Sequence, residues 1–347
     1  MIKKLFLRNF RNFEKNNFDF SSHLTIIVGK NSQGKTNLLE GIYFLVNGVG
    51  FREIFEEELL LFGKKEARVE AIIVENNEPF SYQIKASSLN NRIEKRFFIN
   101  KTEKKKTQYL NTITKTVLFS PEQINIIIGS PSLRRDYFNK TISIFDLEYK
   151  NKLNNYEAAL RKRNKVLESR LSLEKLKEEL VFWDDYLIKQ GEYLTKKRQS
   201  YVGFLNQNKE FDSKSFSIEY LKNQITKEKL EENFDQEVRL RKTIIGPQKD
   251  DFQISISGKN VHHFGSRSEQ RLSIFWLKLN EIRYFENQYQ KKPVILLDDI
   301  FSELDHNNQK IIIKLVKEYQ TIVTTTGLEL INLINLSNDS ANHAINL

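Results

Sequence analysis

The chain has 347 residues, 39% of them hydrophobic, which is enough for one large domain or two ordinary ones with a real core. Its 55 Lys and Arg against 45 Asp and Glu leave a net charge of +10, a balance that favours polyanionic partners without specifying a fold. The absence of cysteine excludes disulfides, thiolate metal sites and a cysteine nucleophile, and among five histidines only the adjacent His262 and His263 come near ligand spacing. No apolar run approaches the ~20 residues of a membrane span. The opening Met1-Ile2-Lys3-Lys4-Leu5 lacks the apolar stretch and cleavage site of a signal peptide, so a cytoplasmic location is expected.

Along the chain, Leu5, Leu7, Phe18 and Phe20 alternate as a hairpin of strands would. Leu24-Thr25-Ile26-Ile27-Val28 is a short continuous apolar run, the mark of a strand buried on both faces. Residues 92–106 carry seven bases against two acids and predict a hairpin around Asn100-Lys101. No proline falls between Pro131 and Pro247, and glycine occurs there only at 191, 203 and 246, which argues for helices. Leu153, Tyr156, Leu160 and Leu167 keep near-heptad spacing, interrupted by Arg163. Leu173, Leu176, Leu180, Trp183, Leu187 and Leu194 do the same, interrupted by Gln190. A short antiparallel helical hairpin turning at 168–172 fits this pattern, and so do two ordinary core helices. Val294-Ile295-Leu296-Leu297 and Gln320-Thr321-Ile322-Val323-Thr324 are further candidate strands. Residues 1–130 and 206–347 therefore read as one split α/β head of mixed sheet and helices, with 131–205 as an inserted α-helical arm.

The strongest chemical signal is Gly29-Lys30-Asn31-Ser32-Gln33-Gly34-Lys35-Thr36, a complete G-x-x-x-x-G-K-[ST] between a buried strand and a helical stretch beginning Asn37-Leu38-Leu39. Its glycines let the backbone curl around phosphate oxygens, and the following helix adds the positive end of its dipole. Lys35 is placed to reach the β- and γ-phosphates of ATP, and the Thr36 hydroxyl to ligate Mg²⁺. Such a loop needs a carboxylate at the tip of a neighbouring strand, and Asp298 ends the run Val294 to Leu297. Asp298 is assigned to Mg²⁺, directly or through water, and Asp299 to orienting or deprotonating an attacking water.

Two distal motifs narrow the class. Ser266-Arg267-Ser268-Glu269-Gln270 opens an apolar helix upstream of Asp298, and Ser302-Glu303-Leu304-Asp305 follows Asp299. That order is the one seen in ABC-type ATPases, where the Ser-containing turn meets the γ-phosphate bound to a second subunit. Ser266 and Gln270 are on that basis candidate catalytic residues together with Lys35 and Asp299. An ordinary Ser N-cap with Glu and Gln in the first turn is the alternative reading of the same residues.

Taken together, the motifs resemble the RecF family, bacterial ATPases related to SMC heads. The resemblance runs from Asn9-Phe10-Arg11-Asn12-Phe13 through Gly34-Lys35-Thr36-Asn37-Leu38-Leu39-Glu40 and Phe119-Ser120-Pro121-Glu122 to Gly129-Ser130-Pro131-Ser132-Leu133-Arg134-Arg135-Asp136-Tyr137-Phe138-Asn139, the most family-specific stretch. It continues in Leu160 to Asn164, Gly246-Pro247-Gln248-Lys249-Asp250-Asp251 and Leu297 to Asp305. Ser268 stands where the family's turn has Gly, Gln248-Lys249 replaces His-Arg, and Asn308 replaces a basic residue. No histidine lies near Thr324-Thr325-Thr326, so the switch histidine of transporters is absent. The resemblance implies an ABC/SMC-like P-loop ATPase head, nucleotide contacts from Arg11 and Asn37, and an ATP-dependent homodimer that clamps duplex or gapped DNA. It also implies slow DNA-stimulated ATP hydrolysis, recombinase loading with RecO and RecR, and roles in replication, repair and the SOS response.

Clustered bases give salt-sensitive, sequence-independent DNA affinity. Lys104, Lys105 and Lys106, with Arg134 and Arg135, are the DNA-contact candidates, and Arg161-Lys162-Arg163 adds a further cluster. A solvated surface is the bland alternative for the lysine run. Two other classes compete. A transporter's ATP-driving subunit would need a membrane partner and a fuller signature turn. A nuclease-coupled SMC-like ATPase would need an acidic nuclease domain, for which little chain follows Asp305.

Overall fold

A computed structural model describes residues 1–53, 55–89, 92–300, 313–326 and 342–347. The expected Ser302–Asp305 loop and Asn308 lie outside the described residues. The chain begins β1 (Ile2–Phe10), β2 (Phe13–Asp19), β3 (Leu24–Val28), α1 (Lys35–Asn47), β4 (Glu66–Glu75) and β5 (Glu78–Leu89). It continues with β6 (Arg92–Ile99), β7 (Thr102–Lys104), α2 (Lys106–Thr112), β8 (Thr116–Phe119), α3 (Asn125–Ile128) and α4 (Pro131–Phe145). Next come α5 (Leu147–Leu167), α6 (Leu173–Gln207), β9 (Glu210–Phe211), β10 (Lys214–Leu221), α7 (Lys227–Leu240), β11 (Asp251–Ile256) and β12 (Lys259–Asn260). The last elements are α8 (Val261–Phe264), α9 (Arg267–Tyr289), β13 (Val294–Asp298), β14 (Thr321–Thr325) and β15 (Asn342–Asn346).

Two compact units result: Met1–Glu122 with Phe285–Leu347, and Gln123–Tyr284. The first holds a six-stranded antiparallel sheet, β2-β1-β4-β5-β6-β7, and a five-stranded parallel sheet, β15-β3-β14-β13-β8. The mixed sheet expected from sequence is thus divided between two sheets. Helix α1 contacts strands of both, which explains why Leu38, Leu39, Ile42, Leu45 and Val46 are all buried and why no polar face is readable. In the antiparallel sheet the alternation is kept: Leu5 pairs with Phe18 on the core side while Lys4 and Arg8 face out. Asn100 and Lys101, at φ 48° and 67°, form the two-residue turn expected between β6 and β7.

In the second unit, α5 and α6 form the antiparallel helical hairpin, capped by Asp146 and Ser172 and turning at 168–172. The interruptions in the two heptad-like runs have different fates. Arg163 is buried, donating to Asp184 at 2.5 Å, Glu237 at 2.6 Å and Thr243 at 2.8 Å, so it ties α5 to α6 and α7. It is not the surface cation that the Arg161–Arg163 cluster suggested. Gln190 is also buried. This unit is wider than 131–205, because β10 and β11 pack with α6 and α4 through Phe216, Ile218, Phe252 and Ile254. Among the described residues no helix is long and apolar enough to cross a membrane.

Candidate functional site

The P-loop follows β3 at its C-terminal end, where open α/β sheets bind ligands. Gly34, at φ 104°, opens α1 without a side-chain cap, so the first N–H groups of that helix have no intrahelical acceptor. An added Cβ at Gly34 would stand 2.5 Å from Asn12 Nδ2, which reserves the position for glycine. Asn12 braces the loop from the turn between β1 and β2: its Nδ2 donates to the Gln33 carbonyl at 3.3 Å, and its Oδ1 accepts from Asn37 Nδ2 at 2.8 Å. Gln33 Oε1 accepts the Lys30 N–H, while Lys30, Asn31, Ser32 and Gln33 face solvent. Lys35 is buried and turned onto the loop, donating to the Gly29 and Lys30 carbonyls at 2.7 and 3.0 Å.

Opposite it, Thr36 Oγ1 donates to Asp298 Oδ1 at 2.9 Å. Asp298 was expected on a strand neighbouring the P-loop strand. The strand order corrects this, since β14 lies between β3 and β13. Thr324 on that intervening strand fills the gap. Its hydroxyl donates to Asp298 Oδ1 at 2.8 Å and accepts the Asp299 N–H at 3.0 Å. Asp299 itself takes a left-handed backbone, φ 47°, which turns the chain sharply after β13. The donors around this point are oxygens only. Among the described residues no group of three His, Cys, Asp or Glu could cage a metal.

Residues 1–337 match the family described as RecF/RecN/SMC N terminal domain. The DNA replication and repair protein RecF of Thermoanaerobacter sp. (strain X514) is 35% identical, with 94% of each chain covered. The protein of the same name from Agathobacter rectalis is 32% identical over 95% of this chain and 93% of the relative. The chain belongs to the RecF family. The solved structure of the recombination mediator protein RecF-ATPrS in the RecFOR pathway is similar at TM-score 0.86 and 28% identity, covering 100% of this chain and 96% of that one. The RecF-ATP structure gives 0.84 at 30% identity, covering 94% and 92%. The Smc head domain derived from Pyrococcus furiosus shares the fold at 0.50 and 18% identity, covering 95% and 91%.

The sequence assigns no role to three polar residues of this RecF-family chain, Glu40, Arg52 and Thr324. Glu40, fully buried on α1, accepts from Arg11 Nε at 2.7 Å and Arg11 Nη2 at 3.0 Å, and from the Arg52 backbone at 3.2 Å. Arg52 Nη2 donates to Asn37 Oδ1 at 2.6 Å. Arg11, assigned to nucleotide by resemblance, is therefore held by Glu40 beside the loop. A carboxylate inside an apolar helix was the available signal for Glu40. For Thr324 it was a polar residue inside a buried strand.

Ser266 and Gln270 lie in the second unit, at the start of α9. Ser266 and Glu269 form a reciprocal cap: Glu269 Oε2 accepts from Ser266 N at 3.0 Å and Oγ at 3.1 Å, and Ser266 Oγ accepts the Glu269 N–H at 3.3 Å. Those bonds from Ser266, with Lys214 at 3.0 Å, hold the Glu269 carboxyl down to about 2. Gln270 is buried. Its Nε2 donates to the Gly265 carbonyl at 3.2 Å, and its Oε1 has no partner.

Of the DNA-contact candidates, Lys104, Lys105 and Lys106 are exposed where β7 passes into α2. Arg134 is not a free cation. It is buried, with Nε and Nη2 on Asp251 at 2.6 and 3.0 Å and Nη1 on the Gly129 carbonyl at 2.8 Å. Arg135 donates to the Asp250 carbonyl at 2.8 Å, and burial lowers its pKa. Arg198 completes this core, reaching Asp250, the Pro247 carbonyl, Tyr149 and Asn139. Two of the family-specific stretches, around Gly129–Asn139 and Gly246–Asp251, are thus bonded to each other.

Proposed function

We propose that this chain binds Mg·ATP at Gly29–Thr36 and works as an ATP-dependent switch on DNA in replication and repair. The observation that carries the reading is the 2.9 Å bond between Thr36 and Asp298 at the mouth of the loop. A hydroxyl and a carboxylate oxygen suit Mg²⁺, which is usually held by one or two protein oxygens plus phosphates and keeps several waters. Bound ATP would supply the γ-phosphate whose presence distinguishes the two states. Lys35 would leave the Gly29 and Lys30 carbonyls for the β- and γ-phosphates, and the open N–H groups of α1 would take further phosphate oxygens. Asp299 would orient the attacking water.

The same reading makes the active form a homodimer, in which the Ser266 turn of each copy meets the γ-phosphate held by the other. Ser266 must then exchange its bonds to Glu269 for bonds to phosphate. DNA, with RecO and RecR, would be the partners, in the cytoplasm, because this chain's relatives are DNA replication and repair proteins and a solved relative is a mediator in the RecFOR pathway. Lys35→Met tests the site: the variant should fold normally and lose binding of a fluorescent ATP analogue. Unchanged affinity would overturn the assignment.

A further inference from the structure

We infer that the outer face of the antiparallel sheet is a track for a nucleic-acid phosphate backbone. Lys15, Arg8, Arg68, Lys85 and Arg96 stand in one row, each paired directly with the next across β2, β1, β4, β5 and β6. All five are exposed, and the strand spacing makes the row about 19 Å long. The adjacent rows hold no cation. On one side run Asn17, Phe6, Glu70, Gln83 and Phe98, and on the other Glu66, Ser87 and Glu94. Five cations therefore stand in consecutive register across five strands, flanked by rows without one, while Lys4 and Arg92 lie on the same face outside the row.

Like charges directly opposite one another weaken a sheet, so the row makes physical sense when an anion lies along it. Arg8 and Lys15 carry no ion pair among the described residues. Arg68 and Arg96 are linked to Glu70 and Glu103 on the same face, contacts that an incoming phosphate could replace. Arg8, Arg68, Lys85 and Arg96 also line a cavity of about 360 Å³ with Glu66 as its one acid. Lys85 and Arg96 stand 5.0 and 5.5 Å from the Phe98 ring, which fixes both cations over the sheet. No base-reading element accompanies the row, so the contact reads charge and spacing, not sequence. The edge lysines Lys104–Lys106 are not part of it, since Lys104 pairs with the core-facing Phe97.

The inference rests on the DNA-binding reading above, and the experiment separates the two. Affinity for a short labelled duplex, and for its single strand, is measured across salt concentrations with ATP present. Arg8→Gln/Arg68→Gln/Lys85→Gln should lower affinity at least about tenfold and flatten the log–log salt slope by about 2.7 for duplex. Its Tm should not fall, and its ATP affinity should be that of the parent chain. Glu103→Gln, which frees Arg96, should raise affinity about twofold, a gain that misfolding cannot mimic. Loss on duplex alone identifies duplex as the ligand, and equal loss on both identifies a single strand as sufficient. Unchanged affinity and slope in the triple variant, with loss in Lys104→Gln/Lys105→Gln/Lys106→Gln, would overturn the row. A parent chain that binds neither nucleic acid would overturn the DNA reading itself.

Discussion

Thr324 donates to Asp298 at 2.8 Å with the same hydroxyl that accepts the Asp299 N–H at 3.0 Å, so one side chain sets both acids of the site. It does so from β14, the strand between the P-loop strand and the acidic one.

Thr324→Val keeps the shape and the strand preference but removes both bonds. The half-buried Asp299 N–H loses its bond to Thr324, which should cost about 1 kcal/mol in urea unfolding. Mg²⁺ titration of ATP binding should show a weaker metal dependence as Asp298 loses one of its two hydroxyl donors. Unchanged stability and metal dependence would reduce Thr324 to a space-filler.

Asp299→Asn should retain ATP, because Lys35, Thr36 and Asp298 are untouched, and should lose the group that orients water. Phosphate release should fall by at least about tenfold while nucleotide affinity is kept. Hydrolysis at the parent rate would remove Asp299 from the mechanism.

Ser266→Arg places bulk in the turn that opens α9. Each copy should still bind ATP, but gel filtration should show no ATP-dependent dimer. The parent should dimerise with ATP and not with ADP, because only ATP carries the phosphate the turn recognises. Normal dimerisation of the variant would end the shared-nucleotide arrangement.

The Ser266–Glu269 cap predicts an acid-side response. Glu269 has a folded pKa of about 2 against an ordinary 4.5, chiefly through its bonds to Ser266. The lowered value means the carboxylate's stabilisation is complete above pH 4.5 and disappears as pH falls toward 2. Glu269→Gln should flatten the change in Tm across that window while leaving the neutral-pH fold intact. An identical acid profile in both proteins would show that the carboxylate charge contributes nothing there.

Local signals were legible and long-range partners were not. Gly29–Thr36 could be read because loop, strand and helix are contiguous, and the helical hairpin because its period lies in one stretch of chain. Thr324 could not be placed, since nothing in the sequence says that β14 enters between β3 and β13. Arg134 and Arg163 looked like free cations because Asp251 and Glu237 lie far along the chain. The cationic row was hidden for the same reason. Its members come from five strands, and only the register aligns them.

Helix α6 has a further consequence. Arg198 is clasped near its C-terminal part by Asp250, Pro247, Tyr149 and Asn139, and 25 residues of the same helix, from Leu173, precede that clasp. Arg163 holds the same helix at Asp184, 14 residues earlier, so two buried guanidiniums grip α6 at points about 21 Å apart. A helix gripped at two points keeps its direction as well as its place, and only the 11 residues from Leu173 to Trp183 run beyond both.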